Sequence, residues 1–179
     1  MVDAREVEVL EGPAQAQLGP LPVIAEDLGV ITPAVTRLRE SLGLPGMVVL
    51  QFGFNAHELE SVHRPERYRA GSVLYTGTHD NDTLRGWFDS LPPESLHLVR
   101  AEGVRGREPW WGLMELALSS KPRLCMLQAQ DVLGLGSEAR MNFPGVAGGQ
   151  WRWRLQPGQL TPALARRLRR STASAGRLP

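Results

Sequence analysis

Four short apolar runs, each opening into a polar loop, set the terms on which this 179-residue chain can fold. They are Leu21 to Ala25, Met47 to Phe52, Ser72 to Tyr75 and Arg123 to Leu127. Brief apolar runs of this kind, without polar alternation, read as strands buried on both faces. Helix signals fill the spaces between them. Thr32 can cap a helix, Pro33 suits its first turn, Val35, Leu38 and Leu42 share a face, and Gly43 suits a left-handed stop. Further starts are marked by Thr83-Leu84, Pro92-Pro93, Pro109 and Thr161-Pro162.

Buried strands that alternate with helices predict an α/β fold with a parallel sheet. The first three runs begin about 25 residues apart. That repeat fits four β/α units, the C-terminal half of a (β/α)8 TIM barrel, and four units are too few to close the barrel. An open doubly wound sheet is the competing arrangement. The expected division is a non-native or truncated lead-in over residues 1–20, the half-barrel over 21–170, and a frayed tail over 171–179.

Composition narrows the partners. A formal charge of +1 gives no electrostatic reason to expect nucleic acid or a membrane surface. Of the 20 basic residues only Lys121 is a lysine, and Arg166-Arg167 with Arg169-Arg170 read as the solvated face of a last helix. The lone Cys125 sits in an apolar run and is expected to be a buried structural thiol. With no secretory h-region or long apolar span in view, the cytoplasm is the expected location.

The chemistry concentrates at two strand ends. Tyr75-Thr76-Gly77-Thr78-His79-Asp80-Asn81-Asp82-Thr83 places an imidazole, two carboxylates, a carboxamide and three threonine hydroxyls after one run. Turn formation alone does not require so many polar groups. Glu26 and Asp27 follow another run directly. A carboxyl group there is expected to be partly desolvated, which raises its pKa and suits it to proton donation. Two carboxyl groups facing one sugar-sized hollow, Glu26 and Asp80, are what glycosyl transfer requires. The competing readings are plain caps for these acids, or a divalent cation held by His79, Asp80 and Asp82 in a metal-dependent hydrolase. Asn142 and the pair Gln130-Asp131 read equally as pocket groups or loop caps. The tryptophans Trp110-Trp111, Trp151 and Trp153 could stack on sugar rings, though core packing or loop clamping is the simpler role.

Five segments in unbroken order carry a resemblance. They are Val23 to Gly29, Pro45 to Phe52, Tyr75 to Thr83, Gln130 to Asn142, and Trp151-Arg152-Trp153-Arg154. Together they resemble the C-terminal part of a 4-alpha-glucanotransferase, the amylomaltase or disproportionating-enzyme family of the α-amylase clan. The resemblance implies that Glu26 is the general acid/base and Asp80 the transition-state-stabilising carboxylate. It implies that Asp27, His79, Phe52 and Asn142 contact substrate, with maltooligosaccharides or other α-1,4-glucans as the partner. Such enzymes are retaining and need neither metal nor cofactor.

Two departures matter. The family's nucleophilic aspartate lies in an Arg-x-Asp-His segment, and nothing like it precedes Leu21. Gln150 also stands where the family pattern has an asparagine before Trp151. The expectation is a transglycosidase by descent that is inactive alone, complete only with a missing N-terminal half. A non-catalytic α-glucan-binding remnant is the alternative.

Overall fold

A computed structural model describes residues 23–178. The chain divides after Met47 into two compact units. The expected lead-in over residues 1–20 and the first two residues of the Leu21 run lie outside the described residues.

In the first unit, helix α1 spans Pro33–Ser41. Thr32 Oγ1 accepts from the Val35 N–H, Pro33 occupies the first turn, and Gly43 has φ +68° just past the end. These are the start and stop that the residues specify. Residues 23–25 do not form the expected buried strand. Val23 and Ile24 are exposed, and the Ala25 N–H donates to the Pro45 carbonyl at 3.0 Å in place of a ladder. The unit is closed by Asp27, whose Oδ1 accepts from the Met47 N–H at 2.6 Å while Oδ2 pairs with Arg39 Nε at 3.0 Å.

A three-stranded sheet runs in the order β1-β2-β3, with β1 Met47–Val49, which spans the division, β2 Val73–Tyr75 and β3 Leu124–Met126. Strands β2 and β3 run parallel, with Val73 opposite Leu124 and Tyr75 opposite Met126. The second run stops being a strand at Val49. Leu50–Phe54 winds into a 3-10 turn because Leu50 and Phe54 are needed in the core, and Gly53 passes too close to the His63 backbone to carry a side chain. Strand β3 corrects the expectation of four buried strands in a second way: Leu124 and Met126, which share a face, are exposed.

Helices α2 Leu84–Asp89, α3 Pro93–Ala101, α4 Pro109–Leu118, α5 Ala129–Val132 and α6 Pro162–Ser174 complete the second unit. Helices α3, α4 and α6 take proline at the first helical position, where the missing N–H has no intrahelical partner to lose. Helix α4 supplies the centre of the core: Trp111, Leu113, Met114 and Ala117 pack with Leu74, Leu84 and Val99. Burial of such side chains is worth about 1.5–3 kcal/mol each and is the main force holding the unit. Cys125 is half-buried, and desolvation pushes its thiol up to about 11, so it behaves as an inert packing group.

Residues 171–178 are not frayed. Helix α6 continues to Ser174, and the Arg177 guanidinium donates to the carbonyls of Leu118, Ser120, Pro122 and Arg123. These carbonyls lie at the end of α4 and in the turn into β3, and charge-assisted hydrogen bonds fasten the C-terminus to them.

Candidate active site

The polar segment after β2 is rigid because its backbone is held from several sides. The Thr76 N–H extends the β2–β3 ladder to the Met126 carbonyl at 3.1 Å. The Thr76 hydroxyl then donates to Asp131 Oδ2 at 2.7 Å, and Asp131 Oδ1 accepts from the Leu84 N–H at 2.7 Å. Burial pushes the Asp131 carboxyl up to about 6, although both of those hydrogen bonds favour its charged form. Thr83 caps α2, its Oγ1 accepting from the Gly86 N–H at 3.1 Å. Gln51 Nε2 donates to the Asp82 carbonyl and Gln128 Nε2 to the Thr78 carbonyl, each at 2.7 Å. Gly77 lies between them: a Cβ there would sit 2.8 Å from Gln51 Nε2 and 3.0 Å from Gln128 Nε2.

On this frame Asp80 is presented half-exposed. Its Oδ1 accepts from Asn142 Nδ2 at 2.6 Å, and its carbonyl accepts from Arg140 Nη2 at 2.6 Å. His79 Nε2 lies 3.3 Å from the same Oδ1. The imidazole packs against the Trp151 indole, with centroids 5.0 Å apart and planes inclined at 32°. A carboxylate so oriented, with its second oxygen available to a ligand, can stabilise a developing positive charge or accept from a sugar hydroxyl.

Asn142 is a partner of Asp80 rather than a loop cap. Phe52 is exposed on its 3-10 turn and meets His63 edge-on at 5.3 Å. Glu26, in the first unit, is exposed, which corrects the expectation that its strand end desolvates it. Asp27 spends both oxygens on Met47 and Arg39. Asp82 does the same with the Thr83 N–H at 2.7 Å and the Ser137 hydroxyl at 2.6 Å. Among the described residues no three His, Cys, Asp or Glu groups converge to hold a metal ion, so the His79-Asp80-Asp82 cation reading has no geometric support. Gln150 has a local task, closing its loop by accepting from the Phe143 N–H at 2.9 Å.

Sequence reasoning misses Gln51, Gln128 and Arg140, whose spacing from the segment they hold carries no periodic signal. It also leaves the role of Asp131 open, and only the pairing of β2 with β3 brings that carboxyl to Thr76. A groove of about 550 Å³ lies elsewhere, between α4 and α6. Within it Arg167 is paired with Glu108 and Ser171 with Glu115, which makes it a seam between the helices.

A family profile described as 4-alpha-glucanotransferase matches residues 3–161. The 4-alpha-glucanotransferase of Thermus thermophilus is 49% identical over 173 residues, covering 92% of this chain and 34% of the relative. The chloroplastic/amyloplastic 4-alpha-glucanotransferase of Solanum tuberosum is 46% identical, covering 90% of this chain and 29% of the relative. Among solved structures, an amylomaltase from Streptococcus agalactiae in complex with acarbose matches with a TM-score of 0.88 at 30% identity, over 99% of this chain and 36% of that one. The chain thus spans about a third of the length of the curated relatives it matches. With the profile covering most of its residues, the chain belongs to the 4-alpha-glucanotransferase family.

Proposed function

We propose that this chain supplies the glucan-holding and acid/base side of a retaining transfer of α-1,4-glucan segments to a glucan or glucose acceptor. Asp80 is the charge-stabilising carboxylate, His79 and Asn142 fix it and the sugar beside it, and Phe52 offers an apolar face to a neighbouring ring. Glu26 protonates the departing oxygen and then deprotonates the acceptor hydroxyl. Asp27, bound to the Met47 N–H and Arg39, holds the backbone that presents Glu26. No metal or cofactor enters a double displacement of this kind.

The observation that carries the reading is the Asp80 carboxylate held at 2.6 Å by Asn142 beside the His79 imidazole, in a chain of this family. The Streptococcus agalactiae amylomaltase is in complex with acarbose, which supports an α-glucan-like ligand for this chain. The architecture we propose is the C-terminal half of a (β/α)8 barrel in a cytoplasmic protein. Exposed Leu124 and Met126 on β3 support a covering partner, the N-terminal half of the same enzyme fold. No described helix is long and apolar enough to cross a membrane.

The nucleophile of the double displacement is supplied by that other half. These 179 residues hold no Arg-x-Asp-His segment, and losing a nucleophile costs several powers of ten in rate, so by themselves they are expected to bind glucans without turning them over. Maltotriose disproportionation by the purified chain, run beside titration with maltooligosaccharides, tests this. Binding without turnover is expected. Robust turnover overturns the missing-nucleophile reading, and absence of binding overturns the glucan site.

A further inference from the structure

Trp151 has φ +61° and is, among the described residues, the one non-glycine in the left-handed region. For a bulky side chain this conformation costs on the order of 1–3 kcal/mol and persists only where the surroundings enforce it. Here both backbone groups are used: the Trp151 N–H donates to the Met141 carbonyl at 2.7 Å, and its carbonyl accepts from Arg154 Nη1 at 2.7 Å. The indole gains little burial in return, since the residue is 49% exposed. What the strained backbone does achieve is to set the indole against His79.

The same loop reaches the neighbouring residue twice more, through Arg140 to the Asp80 carbonyl and Asn142 to its carboxylate. Met141, which anchors Trp151, stands between those two. One loop therefore grips His79 by its ring and Asp80 by its main chain and side chain. We infer that Trp151 is a positioning residue for His79, its indole fixing the imidazole plane so that Nε2 stays turned toward Asp80 Oδ1. Without the indole the imidazole, itself exposed, rotates freely about its side-chain torsions and loses that alignment. Loss of the pairing is expected to weaken ligand affinity by up to about tenfold, in keeping with the modest strength of a single aromatic pair.

This inference rests on the glucan-site reading for its ligand, and the test separates the two. The full chain and its W151G, W151A and W151F variants are compared by proton NMR of the His79 ring, thermal unfolding and titration with acarbose. W151G removes the backbone strain together with the indole, so a merely structural Trp151 predicts unchanged acarbose affinity and an unchanged orientation of the His79 ring. The expected result is loss of the upfield ring-current shift of His79 in W151G and W151A, with acarbose bound about tenfold more weakly and the W151G unfolding midpoint undiminished. W151F keeps most of both signatures. An unshifted His79 ring in W151G, or wild-type affinity in that variant, overturns the inference. Should the wild-type chain fail to bind acarbose, the glucan reading falls, and the orientation of the His79 ring, read from its nuclear Overhauser contacts, then decides alone: contacts to the Asp80 and Asn142 side chains identical in wild type and W151G overturn the positioning role.

Discussion

The Thr76 hydroxyl donates to Asp131 Oδ2 at 2.7 Å, joining the end of β2 to helix α5 through two fully buried side chains. Because Asp131 also receives the Leu84 N–H, this one carboxylate fixes both ends of the segment that carries His79 and Asp80. Replacing it by alanine strands two buried donors. At about 1–3 kcal/mol for each unmet group, Asp131→Ala is expected to destabilise the chain by about 3 kcal/mol, read as a lowered urea midpoint.

Asp131 also makes stability depend on pH. Burial lifts its carboxyl from 3.8 to about 6, so the folded chain holds this proton more tightly than the unfolded one. The stabilisation is fully present below the unfolded value and is lost as pH rises through about 6. Urea unfolding between about pH 4 and 7 should show that decline, and Asp131→Asn, which does not titrate, should flatten it.

Gly77 is required for close approach rather than for turn geometry. A methyl group there displaces the Gln51 and Gln128 amides from the Asp82 and Thr78 carbonyls they hold. Gly77→Ala is expected to cost about 1–3 kcal/mol, the usual range for overpacking. Circular dichroism melts of wild type and variant measure it.

Arg177 fastens the C-terminus to the turn before β3. Arg177→Ala removes charge-assisted hydrogen bonds worth about 1.5–3 kcal/mol. Amide hydrogen exchange should accelerate over residues 171–178 while α4 remains protected, because its core contacts do not involve Arg177.

The residues announce much of this fold. Thr32-Pro33, Thr83, Pro109 and Thr161-Pro162 begin helices where capping chemistry places them, and the Val73 and Leu124 runs form paired parallel strands. Hidden from a reading of the residues is the long-range competition for them. Leu50 and Phe54 look like strand continuation until the core claims them in a 3-10 turn, and Val23-Ile24 look like a strand that, among the described residues, has no ladder. At the site, His79 and Asp80 stand out by their chemistry, whereas Asn142 reads equally as a pocket group or a loop cap until the structure brings its amide to Asp80. The tail reads as frayed because the carbonyls that Arg177 binds lie more than fifty residues away.

The most direct measurement is calorimetric titration of acarbose into the wild-type chain and into Asp80→Asn. That variant is isosteric, retains an oxygen to accept from Asn142, and replaces the charged acceptor offered to the ligand by a neutral NH2 donor. The expected result is saturable binding by wild type, weakened at least about tenfold in Asp80→Asn with no change in unfolding midpoint. Equal affinity in the two proteins would contradict the placing of the glucan site at Asp80.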